Sequence, residues 1–225
     1  MSERGVALII ALMAVLLLSV LGLALVLTTG TELLVAGNYR NSQETLYGAE
    51  ALIECALQDL STAADWNAIL AGISRSSFTD GPPNGTRTLF NGLTIDLAHV
   101  TNLANCGKIS TCSTADMDAV TQERPWGVNN PRWVLYAYAP MNALPSAHLI
   151  NSPLYAISWV GDDPAENDGD PTKDGATESN PGTGVVMLRA EAFGPGGAHQ
   201  VVEAAAAARA GTAGGVRLLS WRAVR

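Results

Sequence analysis

From Val6 to Leu27 the chain runs for 22 residues without a charged side chain, VALIIALMAVLLLSVLGLALVL, with Ser19 and Gly22 its only breaks in apolar character. Wound as an α-helix at 1.5 Å per residue, this run reaches roughly 33 Å, enough to cross the hydrocarbon core of a bilayer. A helix apolar on all sides must be surrounded by lipid or by other helices. A secretory signal peptide has a shorter apolar region, roughly 7 to 15 residues, closed by a small-x-small cleavage site. Here the run passes without such a site into TTGTELLVAGNYRNSQETLYGAEALIECALQDL. In that continuation Leu46, Ala49, Ile53, Ala56 or Leu57, and Leu60 recur at steps of three or four, which predicts one apolar stripe on an otherwise polar helix. The pattern therefore predicts a single helix from about Val6 to about Leu60, roughly 80 Å if straight, whose second half needs a globular head laid against its stripe.

About 165 residues follow, sufficient for one domain with its own core. SRSSFTDGPPNGTRT, with Pro82 and Pro83, ends any helix. Residues 61–130 read as an irregular connection with short helical pieces such as AADWNAILAGI and at most short strands. Alternation then predicts strands. PRWVLYAYAP sets Trp133, Leu135 and Ala137 on one face and Val134, Tyr136 and Tyr138 on the other, while SPLYAISWVG aligns Tyr155, Ile157 and Trp159. GVVMLRAEAFGPGGAHQVVEAAAAARA reads as a hairpin turning at 194–197, and GVRLLSWRAVR as a last strand. Four or five antiparallel strands after one long helix give an α+β fold with the stripe covering one sheet face.

The net charge is −8, and from Asp162 to Glu178 seven acids face one base, Lys173. Nucleic-acid binding through this face is disfavoured, because phosphate contacts need a basic patch. In GDDPAENDGDPTKDG the carboxylates crowd among Gly and Pro turns, and Asp162, Asp163, Asn167, Asp168, Asp170 and Asp174 are candidate ligands of a structural Ca²⁺; a simply solvated loop is the alternative. An EF-hand does not fit: with Gly175 at the loop's glycine position, the terminal acid falls on Pro181. The three cysteines point to an oxidising compartment, with Cys106–Cys112 the first choice of disulfide and a bond from Cys55 to either of them its rival. Three scattered histidines and no CxxC pair give zinc no ligand grouping. No nucleophile elbow, P-loop, dinucleotide fingerprint or His-Glu-x-x-His motif occurs, so no catalytic residues are expected. Glu191 and Glu203 read as acids on solvated strand faces, and most of the five Trp as packing. Within the helix Gly22, Gly30, Gly37 and Gly48 either let neighbouring helices approach or mark points of bending, and Glu32 and Glu44 read as part of a solvated face.

RGVALIIALMAVLLLSVLGLAL resembles the class III signal of type IV pilins and pseudopilins, and AGNYRNSQETLYGAEALIE resembles the segment that follows in PilX-type minor pilins. The resemblance covers about the first 57 residues. It implies a leader at 1–5 removed by prepilin peptidase between Gly5 and Val6, with methylation of the new amine. It further implies a membrane and later fibre-core segment at 6–30, an amphipathic segment at 31–60 and a pilin head at 61–225. Most pilins carry Glu at the fifth residue after the cut, to compensate the amine of a neighbouring subunit; here that residue is Ile10. Its absence resembles PilX-type and GspK-type members and implies a tip or priming role rather than that of the repeating subunit. The implied partners are other minor pilins, the major pilin and prepilin peptidase. The implied location is the inner membrane with a periplasmic head, then the pilus at the cell surface. The resemblance also favours loop calcium slightly; for Glu32 the alternatives to a solvated face are a place at the membrane boundary or a pair with a neighbouring subunit. Two alternatives stay open: a GspK-like pseudopilin of a type II secretion system, against which the chain's small size stands, and an uncleaved membrane-anchored binding module.

Overall fold

The computed structural model describes residues 3–119, 127–144, 151–166, 168–175, 182–209 and 215–224. Its residues fall into two compact units, Met1–Asn41 and Ser42–Arg225. Helix α1 spans Glu3–Thr62, two or three residues beyond the predicted ends.

In the first unit α1 is apolar on every side over residues 6–27 and its large side chains are exposed: Leu8 is 71% exposed, and Leu16, Leu21, Leu25 and, beyond that run, Leu33 are likewise exposed. Among the described residues this is the one helix long and apolar enough to cross a membrane, judged by length and composition. Its few hydroxyls are satisfied locally. Ser19 donates to the Val15 carbonyl at 2.8 Å, Thr28 to Ala24 at 2.9 Å and Thr29 to Leu25 at 2.9 Å, which removes the main penalty for placing them in lipid.

In the second unit the remainder of α1 has a single buried stripe of Thr45, Ala49, Leu52, Ile53, Ala56 and Leu60. The stripe packs on an antiparallel sheet of order β3-β4-β5-β6-β7, formed by Val134–Pro140 (β3), Tyr155–Asp162 (β4), Val185–Phe193 (β5), His199–Ala208 (β6) and Val216–Val224 (β7). Val186, Leu188, Ala190 and Ala192 of β5, with Val202, Ala204 and Ala206 of β6, occupy alternate positions and share one core with the stripe. The many alanines keep this face low, so the helix can come close. At Gly48 a Cβ would stand 2.8 Å from Leu154 Cδ1 and 3.5 Å from Ala192 Cβ, which assigns this glycine to close packing. Burying Leu52, Ile53 and Leu60 contributes roughly 1.5–3 kcal/mol each. The β5–β6 turn falls at the expected place, with Gly196 and Gly197 at φ 67° and 77°, a conformation open to glycine with little strain.

The other sheet face is also covered over β3 and β4, which the sequence pattern did not predict. A short hairpin, β1 (Thr86–Thr88) and β2 (Thr94–Asp96), leads into α3 (Leu97–Cys106); α2 (Trp66–Leu70) and α4 (Thr114–Ala119) complete the helices. Leu97 joins Trp133, Leu135, Tyr138, Tyr155, Ile157 and Trp159 in a second core. The Trp159 indole N–H donates to Thr101 Oγ1 at 2.9 Å. The Asn105 side chain clasps Trp133, accepting from its N–H at 2.8 Å and donating to its carbonyl at 2.9 Å. The predicted alternation of β3 fails at one place. The register shifts between Leu135 and Ala137, and this bulge moves Tyr138 onto the face of Trp133 and Leu135 while Ala137 joins Tyr136 on the helix side. The segment before β1 covers the edge of β3, the Tyr138 N–H donating to the Phe78 carbonyl at 2.9 Å and the Asp80 N–H to the Tyr138 carbonyl at 3.1 Å.

Candidate functional site

The acidic stretch begins where β4 ends. Asp162 is its last residue, and the chain turns at once: Glu166 N–H donates to the Asp163 carbonyl at 3.0 Å and Ala165 N–H to Asp163 Oδ1 at 3.1 Å. This turn brings Glu166 back beside Asp162. Asp174 returns to the same place, its N–H donating to Asn67 Oδ1 at 2.8 Å and its Oδ1 accepting from Gly184 N–H at 2.6 Å. One carboxylate oxygen from each of Asp162, Glu166 and Asp174 then lies within 4.8 Å of the other two. Asp162 is 3% exposed and Glu166 2%. The backbone carbonyl of Glu166 accepts from Asn129 Nδ2 at 2.8 Å, and its carboxylate accepts from the Gly175 N–H. Asp162 Oδ1 is buried with no hydrogen-bond donor among the described residues.

Burial, and then the neighbouring Glu166 charge, push the Asp162 carboxyl well above the ordinary carboxylate range. Burial likewise raises Glu166 and Asp174, in both cases with help from the Asp168 charge.

Of the candidate ligands read from the sequence, the structure brings together Asp162 and Asp174. Asp163 is engaged in the turn. Asp168 accepts from Asp170 N–H at 2.7 Å, and Asp170 binds Thr172 N–H at 3.2 Å and Lys173 Nζ at 3.3 Å, so these exposed carboxylates shape the loop surface outside the trio. Asn167 lies outside the described residues. Glu166 was missed. Its signal was a spacing of four from Asp162, which counts as proximity only once a turn is known to intervene.

A second group of buried acids differs in kind. Glu191 and Glu203, expected on solvated faces, are each 7% exposed. Arg189 bridges them at 2.7 Å to each, His199 Nε2 lies 3.0 Å from Glu191, and Arg222 donates to Glu203 at 2.7 Å. These residues come from β5, β6 and β7, paired as Arg189 with Glu203 and Glu203 with Arg222. Burial alone would raise the Glu191 carboxyl, yet the His199 and Arg189 contacts outweigh it and hold it below the ordinary range. This is a cross-strand clamp, with each acid charge answered by a base.

Cys106 and Cys112 form the expected disulfide, with Cα atoms 6.0 Å apart, closing the end of α3. Cys55 is half-buried and unbonded, which sets aside its pairing with either. On α1, Gly5 and Val6 lie in helical backbone, and Ile10, Gly22 and Glu32 are exposed. A Cβ added at Gly22, Gly30 or Gly37 would meet nothing within 4 Å.

Residues 4–54 match the family model described as PilX N-terminal. No curated protein and no solved structure matches the chain.

Proposed function

We propose, for a chain whose residues 4–54 match the PilX N-terminal family model and so support a PilX-type type IV pilin, that it acts as a minor pilin which primes or caps pilus assembly together with other minor pilins. PilX-type pilins are structural proteins, and the apolar helix fits a membrane-anchored, pilus-associated chain. Prepilin peptidase removes residues 1–5, and Val6 becomes the methylated N-terminus. Gly5, beside the cut, lowers the helical propensity of the bond to be opened by about 1 kcal/mol relative to Ala.

The observation that carries this reading is the bare apolar surface of α1 over residues 6–35. Leaving lipid would expose that surface at about 25 cal/mol per Å² of apolar area, so extraction is feasible only where other pilin helices cover it at once. Ile10 offers no carboxylate to the amine of a subunit already in place, which suits a subunit at the start of the fibre. Glu32, the first acid after the apolar run, is placed to pair with a neighbour at the edge of the fibre core. A GspK-like pseudopilin reading is disfavoured by the head: apart from α1, its longest helix among the described residues is the ten-residue α3.

Deleting the gene and counting surface pili tests the role. Loss of pili, restored by the wild-type chain, is the expected result. Undiminished piliation, with the chain missing from sheared pili, would overturn it.

A further inference from the structure

We infer that Asp162, Glu166 and Asp174 form a divalent cation site, with Ca²⁺ its best-fitting ligand, that locks the connection between β4 and β5. The first ground is placement. Their three oxygens lie within 4.8 Å of one another, a span that a cation with bonds of about 2.3–2.6 Å can bridge. The second is the Asp162 carboxylate: nine-tenths buried and more, facing the other two, with Oδ1 reached by no donor among the described residues. The charges that act on it are those of Glu166 and Asp174, both acidic. Leaving such an oxygen unmet in a buried site is costly.

The rest of the head shows how this chain otherwise handles a buried carboxylate. Glu191 and Glu203 are met by Arg189, and Glu203 also by Arg222. At Asp162 the charges that act are acidic, its carboxyl meeting the Asp163 N–H and the Glu166 side chain, and a hard dication would supply the positive charge that Arg189 and Arg222 supply at Glu191 and Glu203.

The surroundings hold the donor set in place before any ion arrives. Asn129 fixes the Glu166 backbone, Gly184 holds one Asp174 oxygen, and Asn67 anchors the Asp174 N–H. Gly182 closes the turn from the other side: a Cβ there would come within 2.9 Å of Glu166 N. An ion bound here would join the end of β4 to the residues just before β5. The long acidic loop would then be tied at its base, while Asp168 and Asp170 remain at its surface.

The competing explanation is a proton shared between the Asp162 and Glu166 carboxyls. The two are separated with the full chain in detergent, stripped with chelator and titrated with CaCl₂ by calorimetry, beside limited Lys-C digestion. Lys173, one of the chain's two lysines, lies inside the loop and is exposed. The expected result is saturable binding of one equivalent with a Kd of about 10⁻⁴–10⁻³ M and slower cleavage after Lys173 in Ca²⁺. Asp162→Asn and Glu166→Gln should each weaken binding by about tenfold or more and remove the protection. The double change Asp168→Asn with Asp170→Asn should retain both. No saturable binding up to about 10 mM Ca²⁺, together with Asp162→Asn melting above wild type, would overturn the site in favour of a shared proton. Binding kept in Asp162→Asn and Glu166→Gln but lost in the surface double variant would place it elsewhere and overturn it equally.

Discussion

The two stretches of α1 have the same backbone and opposite needs. Over residues 6–27 the helix is clothed in large apolar side chains that stand exposed; from Ser42 its apolar residues narrow to a stripe that is largely buried on the sheet. Helical hydrogen bonding therefore cannot be what distinguishes them. The later stretch draws its stability from contacts inside the chain, whereas the earlier one must obtain its cover from lipid or other subunits. Under the proposed function, one helix carries a folding role and an assembly role in series.

That contrast can be broken by paired substitutions. Leu52→Ala removes a side chain with no exposed surface and should cost the head about 2–5 kcal/mol. Leu16→Ala, at a 60% exposed position, should move the head's melting transition by less than about 0.5 kcal/mol. Thermal melts of both variants in the same detergent check this; equal effects would erase the distinction.

Close packing gives the next effect. At Gly194 a Cβ would fall 2.4 Å from Thr45 Oγ1 and 3.0 Å from Leu154 Cδ2, so Gly194→Ala should destabilise the head by about 1–3 kcal/mol. Gly22→Ala meets nothing and should leave the melt unchanged, its consequences confined to how much chain enters pili.

Reducing Cys106–Cys112, which closes a loop of sequence separation 6, should cost about 2 kcal/mol by loss of loop-closure entropy. Melts with and without reductant would register it in the head alone.

The smallest effect is in acid. Glu191 is held below its ordinary value of 4.5 in the folded state, so its contribution is present above that value and is lost as pH falls through the lower folded one. Below about pH 4.5 the unfolded chain takes up the proton first, and stability declines. Glu191→Gln should flatten this acid limb in a series of melts across pH.

Much of the architecture was legible because it rests on period. The apolar run, the helix stripe and the four long strands after β3 each repeat a local spacing that the folded chain keeps. Leu52 escaped notice beside Ile53, because a stripe drawn in steps of three or four admits only one of two adjacent residues. Tyr138 was placed on the wrong face because one extra residue in β3 shifts a period-two pattern, and nothing local marks the bulge.

Helix α3 left a readable trace, an Asp96 cap whose Oδ1 accepts from the N–H groups of Ala98 and His99, followed by Leu97, Val100 and Ala104 at helical spacing. What the sequence could not say is that this helix lies over the second sheet face, since that depends on contacts with Trp133 and Trp159 far along the chain. The acidic trio was half legible for the same reason. Density of carboxylates drew attention to the exposed Asp168 and Asp170, whereas burial and a turn select Glu166.

The most direct test of the serial helix is the N-terminus of the mature chain. Intact mass and N-terminal peptide mapping of protein taken from native membranes and from sheared pili should find a start at Val6 with a methylated amine in the fibre fraction. A chain that begins at Met1 and stays in the membrane would contradict the account, because its bare helix would then be a permanent anchor and never the core of a fibre.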